Sequence, residues 1–145
     1  MHAIDYVAPT SIQEAIELMA SKGDQARAMA GGTDLLVQLR GGRRTSEVVV
    51  DIKDIAELNE LTYDSQKGLT IGAAVPCYKI YQDDEISGLY PGLVDSASLI
   101  GSIQIQGRAS IGGNLCNSAP SADAIPALIA LGAVANVAGP SGTRQ

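Results

Sequence analysis

Two short stretches of this sequence set glycine pairs beside small polar residues, the types from which a main-chain anion site is built. One is Ala30-Gly31-Gly32-Thr33-Asp34-Leu35; the other is Ser110-Ile111-Gly112-Gly113-Asn114-Leu115-Cys116-Asn117. Each comes directly after a β-like run. Without a Cβ the backbone reaches φ > 0, and a ligand can come within hydrogen-bonding distance of the main chain. Successive N–H groups in a tight turn can then converge on one anion. A diphosphate needs several such donors, and two loops closing from separate parts of the chain would grip it from both sides. Charge-assisted hydrogen bonds contribute about 1.5–3 kcal/mol each. Either pair taken alone reads as a plain turn, and the alternative for Asp34 is a helix cap.

Other chemistries lack their residues. Neither stretch has the G-x-G-x-x-G or G-x-x-x-x-G-K-[ST] spacing, and there is no G-x-S-x-G elbow. His2 is the sole histidine, which leaves a His-dependent triad only a chain terminus to use. Cys77 and Cys116 stand far apart and form no C-x-x-C, so a four-ligand zinc or iron–sulfur site is not expected. They read as reduced, semi-buried thiols of a cytoplasmic protein.

The elements that must position these loops follow from periodicity and punctuation. An extended segment at 3–6 leads past Pro9 to Ser11-x-x-Glu14, a capping box. Ile12, Ala15, Ile16 and Met19 then share a helical face, and Gly23 stops the helix. A strand over 27–30 runs into the first glycine pair. Leu35, Leu36 and Leu39 predict a short helix ended by Gly41-Gly42, and Val48-Val49-Val50 predicts a strand buried on both faces. Thr62-Tyr63 and 69–71 flank a turn at Lys67-Gly68, which predicts a hairpin. A short helix is expected over 76–83, with Asp83-Asp84-Glu85 as solvated surface. Leu93, Ala97 and Ile100 share a helical face, 101–108 reads as irregular, and Ser121-Ala122-Asp123 with Pro126 opens a last helix stopped at Gly132. A strand over 133–138 and a turn at 139–142 close the chain. A strand left there without a partner would be an exposed edge, so the natural polypeptide or complex is expected to continue.

The 145 residues suffice for one average domain or two small lobes, and 46% apolar content builds a core without disulfides. Sixteen Gly, five Tyr and no Phe or Trp indicate an α/β chain with an aliphatic core. The coarse division is a β-α-β-α-β first lobe over 1–54 and a mixed second lobe over 55–145. A net charge of −6 argues against a nucleic-acid binder. No secretory signal and no membrane span are visible.

The text Ala28-Met29-Ala30-Gly31-Gly32-Thr33-Asp34-Leu35-Leu36, with Arg108-Ala109-Ser110-Ile111-Gly112-Gly113-Asn114-Leu115-Cys116-Asn117-Ser118-Ala119-Pro120-Ser121-Ala122-Asp123, resembles the FAD-binding medium subunit of molybdenum hydroxylases. That family includes the carbon monoxide dehydrogenase medium chain and the xanthine dehydrogenase flavin domain. The resemblance covers essentially the whole chain. It implies a two-lobe α/β (α+β) FAD-binding domain of the vanillyl-alcohol-oxidase type, truncated at the C-terminus, with the family's C-terminal domain absent. It assigns cofactor contact to Arg27, Met29, Ala30, Gly31, Gly32, Thr33, Asp34 and Leu35 from the first lobe. From the second it assigns Ala109, Ser110, Gly112, Gly113, Asn114, Cys116 and Asp123. Asp123 would take the ribitol or adenosine part, Cys116 would lie near the flavin, and Arg27 would line the adenine side unless it is only an exposed strand-edge arginine. No catalytic side chain and no metal ligand are implied in this chain. The implied role is electron transfer: FAD takes electrons from an iron–sulfur (small) subunit, served by a molybdopterin (large) subunit, and delivers them to NAD, a quinone or another acceptor. The competing expectation is a truncated nucleotide-diphosphate-binding or docking module without redox turnover.

Overall fold

The computed structural model describes residues 3–145; Met1 and His2, and with them the histidine considered above, lie outside the described residues. The chain opens with β1 (Asp5–Val7) and turns at a buried Pro9 into α1 (Ile12–Lys22). The Ser11 hydroxyl accepts the Glu14 N–H at 3.2 Å, as a capping box requires. The Glu14 carboxylate accepts instead from the Thr10 N–H at 3.0 Å, one residue earlier than the reciprocal arrangement. Gly23 ends the helix at φ +52°.

β2 (Ala26–Met29), α2 (Leu35–Arg40) and β3 (Val48–Asp51) complete the first half. The three strands form one parallel sheet of order β1-β3-β2, with Ala26 and Asp5 both registered on Val48. Each strand-to-strand connection is a helix, which a parallel pair requires. Val48, Val49 and Val50 are all buried, and pleat alternation explains how. Val48 and Val50 pack with Ala26 against Ala15, Leu18 and Met19 of α1. Val49 packs with Met29 and Leu39 toward α2. The β2-to-α2 connection, residues 30–34, therefore emerges at the carboxyl end of the sheet.

The second half begins with an antiparallel hairpin, β4 (Leu61–Asp64) and β5 (Gly68–Ile71), in register Leu61 to Ile71. Six short helices follow: α3 (Cys77–Tyr81), α4 (Asp84–Leu89), α5 (Pro91–Leu99), α6 (Ile103–Gln106), α7 (Ile111–Asn117) and α8 (Ile125–Ala130). Their core joins Val75, Cys77, Ile80, Ile86, Leu93 and Ala97 to Ala109, Ile111 and Ala124.

Several sequence expectations change here. The stretch 101–108 is not wholly irregular, because α6 forms inside it after Ser102. Asp83 is more than solvated surface, since its carboxylate accepts the Ile86 N–H at 3.0 Å and caps α4. The two thiols are not alike: Cys77 is fully buried and Cys116 exposed, both free. Burial pushes the Cys77 thiol up to about 11. Residues 133–136 are not strand; the strand expected there is β6 (Val137–Gly139), and it has a partner, β7 (Gly142–Arg144), across a tight turn.

Candidate functional site

The two glycine stretches meet. Gly31 lies against the backbone of the second half so closely that a Cβ there would stand 1.9 Å from the Arg108 carbonyl oxygen. Only glycine permits that approach. Arg108 adds a side-chain tie, its Nε donating to the Gly31 carbonyl at 3.0 Å. The next residue, Gly32, has φ +73°, a conformation that side chains other than glycine's rarely adopt. A second tie spans the halves: Gln38 Nε2 donates to Asn117 Oδ1 at 3.1 Å and also to the Asp34 carboxylate.

Between the halves lies a cavity of about 320 Å³. Residues 27–35, Gln38 and Arg44 line it on one side. Ile100, Ala109, Ser110, Gly113, Asn114, Cys116 and Asn117 line it on the other. All the predicted site residues are in this wall except Gly112 and Asp123. Gly112 faces the opposite way, where a Cβ would stand 2.6 Å from Ala73 Cα, so its missing side chain serves packing. Asp123 sits in the turn before α8. Its neighbour Ala124 donates its N–H to Asn114 Oδ1 at 3.2 Å, and Asn114 lines the cavity.

The second stretch is a helix start rather than a loop. Ser110 caps α7, its hydroxyl accepting the Gly113 N–H at 3.0 Å. Gly113 is therefore helical and needs no left-handed backbone. The first stretch is the true turn. Among the described residues no protein group accepts the N–H of Gly31, Gly32, Thr33 or Asp34. Asp34 stands at the cap position of α2, but its carboxylate makes no capping bond and goes to Gln38 instead.

Arg27 lies on an edge strand, yet it is only half-exposed. Its Nη1 donates to the Ala26 carbonyl at 2.8 Å, while its buried Nε has no partner among the described residues. The wall thus holds two guanidiniums, Arg27 and Arg44, against one carboxylate, Asp34. Unpaired main-chain donors and a local positive balance suit an anion, in a chain whose net charge is −6. A wider surface groove of about 540 Å³ along α1 does not: its charged lining groups are the carboxylates of Glu14 and Glu17.

Sequence reasoning passes over Gln38, Arg44 and Ile100. Gln38 carries a usable signal, since it stands four residues after Asp34 and shares its helix face. Ile100 looks like core and is core, buried while also lining the cavity. Arg44 lies in an irregular segment where no local pattern marks it.

Residues 2–145 match a family model described as the FAD binding domain in molybdopterin dehydrogenase. The chain is 32% identical over 131 residues to caffeine dehydrogenase subunit beta of Pseudomonas sp. (strain CBB1), covering 90% of this chain and 44% of that one. It is 34% identical over 139 residues to the xanthine dehydrogenase FAD-binding subunit of Escherichia coli O157:H7, covering 96% and 47%. Among solved structures, reconstituted CO dehydrogenase from Oligotropha carboxidovorans aligns with a TM-score of 0.93 at 31% identity, over 99% of this chain and 50% of that one. The chain spans about half the length of the curated relatives it matches.

Proposed function

The chain belongs to the FAD-binding domain family of molybdopterin dehydrogenases and has its α/β, vanillyl-alcohol-oxidase-type fold, and from that premise we propose that it holds FAD in the cleft between residues 1–54 and 55–145 as the flavin-binding part of an electron-transfer subunit. The observation that carries the reading is the cavity wall itself: consecutive N–H groups at 31–34 without a protein acceptor, beside a buried Arg27 Nε that also lacks one. Gly31 is buried, Gly32 and Thr33 are half-buried and Asp34 is exposed, so the turn is open to a ligand, and a diphosphate supplies acceptors in number.

The residues fit the group. Gly31, Gly32, Thr33 and Asp34 would offer main-chain N–H groups to phosphate oxygens from one side, and Ser110, Gly113 and Asn114 at the start of α7 would face them from the other. Arg27 and Arg44 would offset the negative charge, while Met29 and Ile100 keep water from part of the wall. At about 320 Å³ the cavity is at the low end for ligand sites. That is room for the diphosphate and its neighbouring groups rather than for the whole of FAD. Bound FAD supplies a redox centre that takes electrons from a donor and passes them to an acceptor.

The partners proposed rest on the family, which is that of molybdopterin dehydrogenases. With two cysteines it has no set of four thiolates for an iron–sulfur cluster. We therefore assign the electron source to an iron–sulfur subunit served by a molybdopterin subunit, with NAD or a quinone as the final acceptor.

Purified protein mixed with FAD and passed through a desalting column should retain the visible bands of oxidised flavin, and ADP should compete. A colourless protein that still binds ADP would point to a nucleotide-binding module without redox turnover. A protein that binds neither would overturn the reading.

A further inference from the structure

Arg108 does not line the cavity, yet it is tied to the turn that does. Its own backbone is fixed within the second half. The Arg108 N–H donates to the Ile105 carbonyl at 2.9 Å, and that of Ala109 to the same carbonyl at 2.8 Å. The Ala109 carbonyl in turn accepts the Cys77 N–H at 2.8 Å. From this anchored position the Arg108 side chain reaches across and its Nε takes the Gly31 carbonyl at 3.0 Å.

The direction of that bond has a consequence for the next amide. In a trans peptide the C=O and N–H point opposite ways, and the described residues contain no cis bond. The Gly31 carbonyl points at the Arg108 side chain, which is not among the residues lining the cavity. The Gly32 N–H, on the other side of the same peptide plane, points away from Arg108, and Gly32 itself lines the cavity. This peptide joins two residues without Cβ, so little in its own sterics opposes a flip. A flip would turn the carbonyl's negative end toward the anion and withdraw the donor.

We infer that Arg108 is a positioning residue that locks the Gly31–Gly32 peptide with its N–H, rather than its carbonyl, facing a diphosphate. The inference rests on the proposed reading of the cavity as a diphosphate site. It concerns the placement of the Nε donor, not the positive charge, and two substitutions separate these. Glutamine has the same chain length up to Cδ, so its side-chain NH₂ sits where the arginine Nε does, without the charge. Methionine has similar length and no donor.

The experiment is titration of FAD into wild-type, Arg108→Gln and Arg108→Met proteins by flavin fluorescence, with 31P spectra of the bound cofactor and the melting temperature of each apoprotein. The Met variant should bind about tenfold more weakly, the equivalent of one hydrogen bond to a charged partner, and shift the diphosphate 31P resonances. The Gln variant should stay within about threefold of wild type with wild-type 31P positions. If Gln and Met weaken binding equally, charge steering replaces the lock. If neither weakens it, Arg108 has no part in binding. Should the Met variant fail to fold, the Gln variant decides alone: about tenfold weakening contradicts the lock, and near-wild-type affinity supports it. Wild-type protein that ignores FAD would instead remove the functional reading on which the inference stands.

Discussion

Arg27 keeps a buried Nε–H without a protein acceptor, and such an unpaired donor destabilises a fold by about 1–3 kcal/mol. Arg27 also lines the cavity, where the charge of its guanidinium can meet an anion. Arg27→Met should weaken FAD binding about tenfold while leaving the apoprotein melting temperature unchanged or higher. An equal loss of apoprotein stability would show that the guanidinium serves packing alone. A second prediction concerns Asp51, at the end of β3. Burial alone would raise its carboxyl, but hydrogen bonds from the Lys53 ammonium, the Tyr6 hydroxyl and the Lys53 N–H outweigh it and hold the group below the ordinary carboxylate range. Because the folded value is the lower one, its ionisation stabilises the fold above the unfolded value and that gain is lost as pH falls through the folded one. Melting temperatures should therefore drop below about pH 4, and Asp51→Asn should flatten that acid limb. An acid limb identical in the variant would mean that other carboxylates control it.

At the scale of elements the two glycine stretches separate. Gly31 is a contact between the halves, and Gly31→Ala puts a Cβ 1.9 Å from the Arg108 carbonyl oxygen. Backbone cannot yield as a flexible side chain does, so this change should destabilise by about 1–3 kcal/mol and weaken FAD binding with it. Gly113 lies in the first turn of α7, where a Cβ would meet only the Ser110 hydroxyl at 3.0 Å. Gly113→Ala should unfold in urea within about 1 kcal/mol of wild type and still bind FAD less well, because it narrows the cavity. If both variants behave alike, the division between packing glycine and lining glycine is wrong. Which elements are legible follows the same logic. The start of α1 is readable because Ser11 and Glu14 act locally, and β3 because three valines in a row suit a strand covered on both faces. The helical start at Ser110 is not readable from its glycines. Its N-cap and the seat of Gly112 on Ala73 decide it, and the second of these is a tertiary contact. The helix α6 escapes notice for a different reason: four residues are too few for a periodic signal.

For the whole molecule, net charge and local charge point in opposite directions. A chain at −6 has a cleft lined by two arginines and one aspartate, and by a turn whose N–H groups find no acceptor among the described residues. Composition is blind to that arrangement, whereas the paired glycine motifs disclose most of it, since their residues make up the larger part of the wall. What they do not disclose is whatever arrives from elsewhere in space: Arg44 from an irregular segment, Ile100 from the core, Gln38 through its bridge to Asn117. Two segments distant in sequence act on one anion. Backbone amide NMR during titration with ADP tests this most directly, because it reports each residue of the two segments separately. The signals of Gly32, Thr33 and Asp34 should move together with those of Ser110, Gly113 and Asn114 and follow a single dissociation constant. Movement confined to one segment, or centred on the α1 groove, would contradict the account.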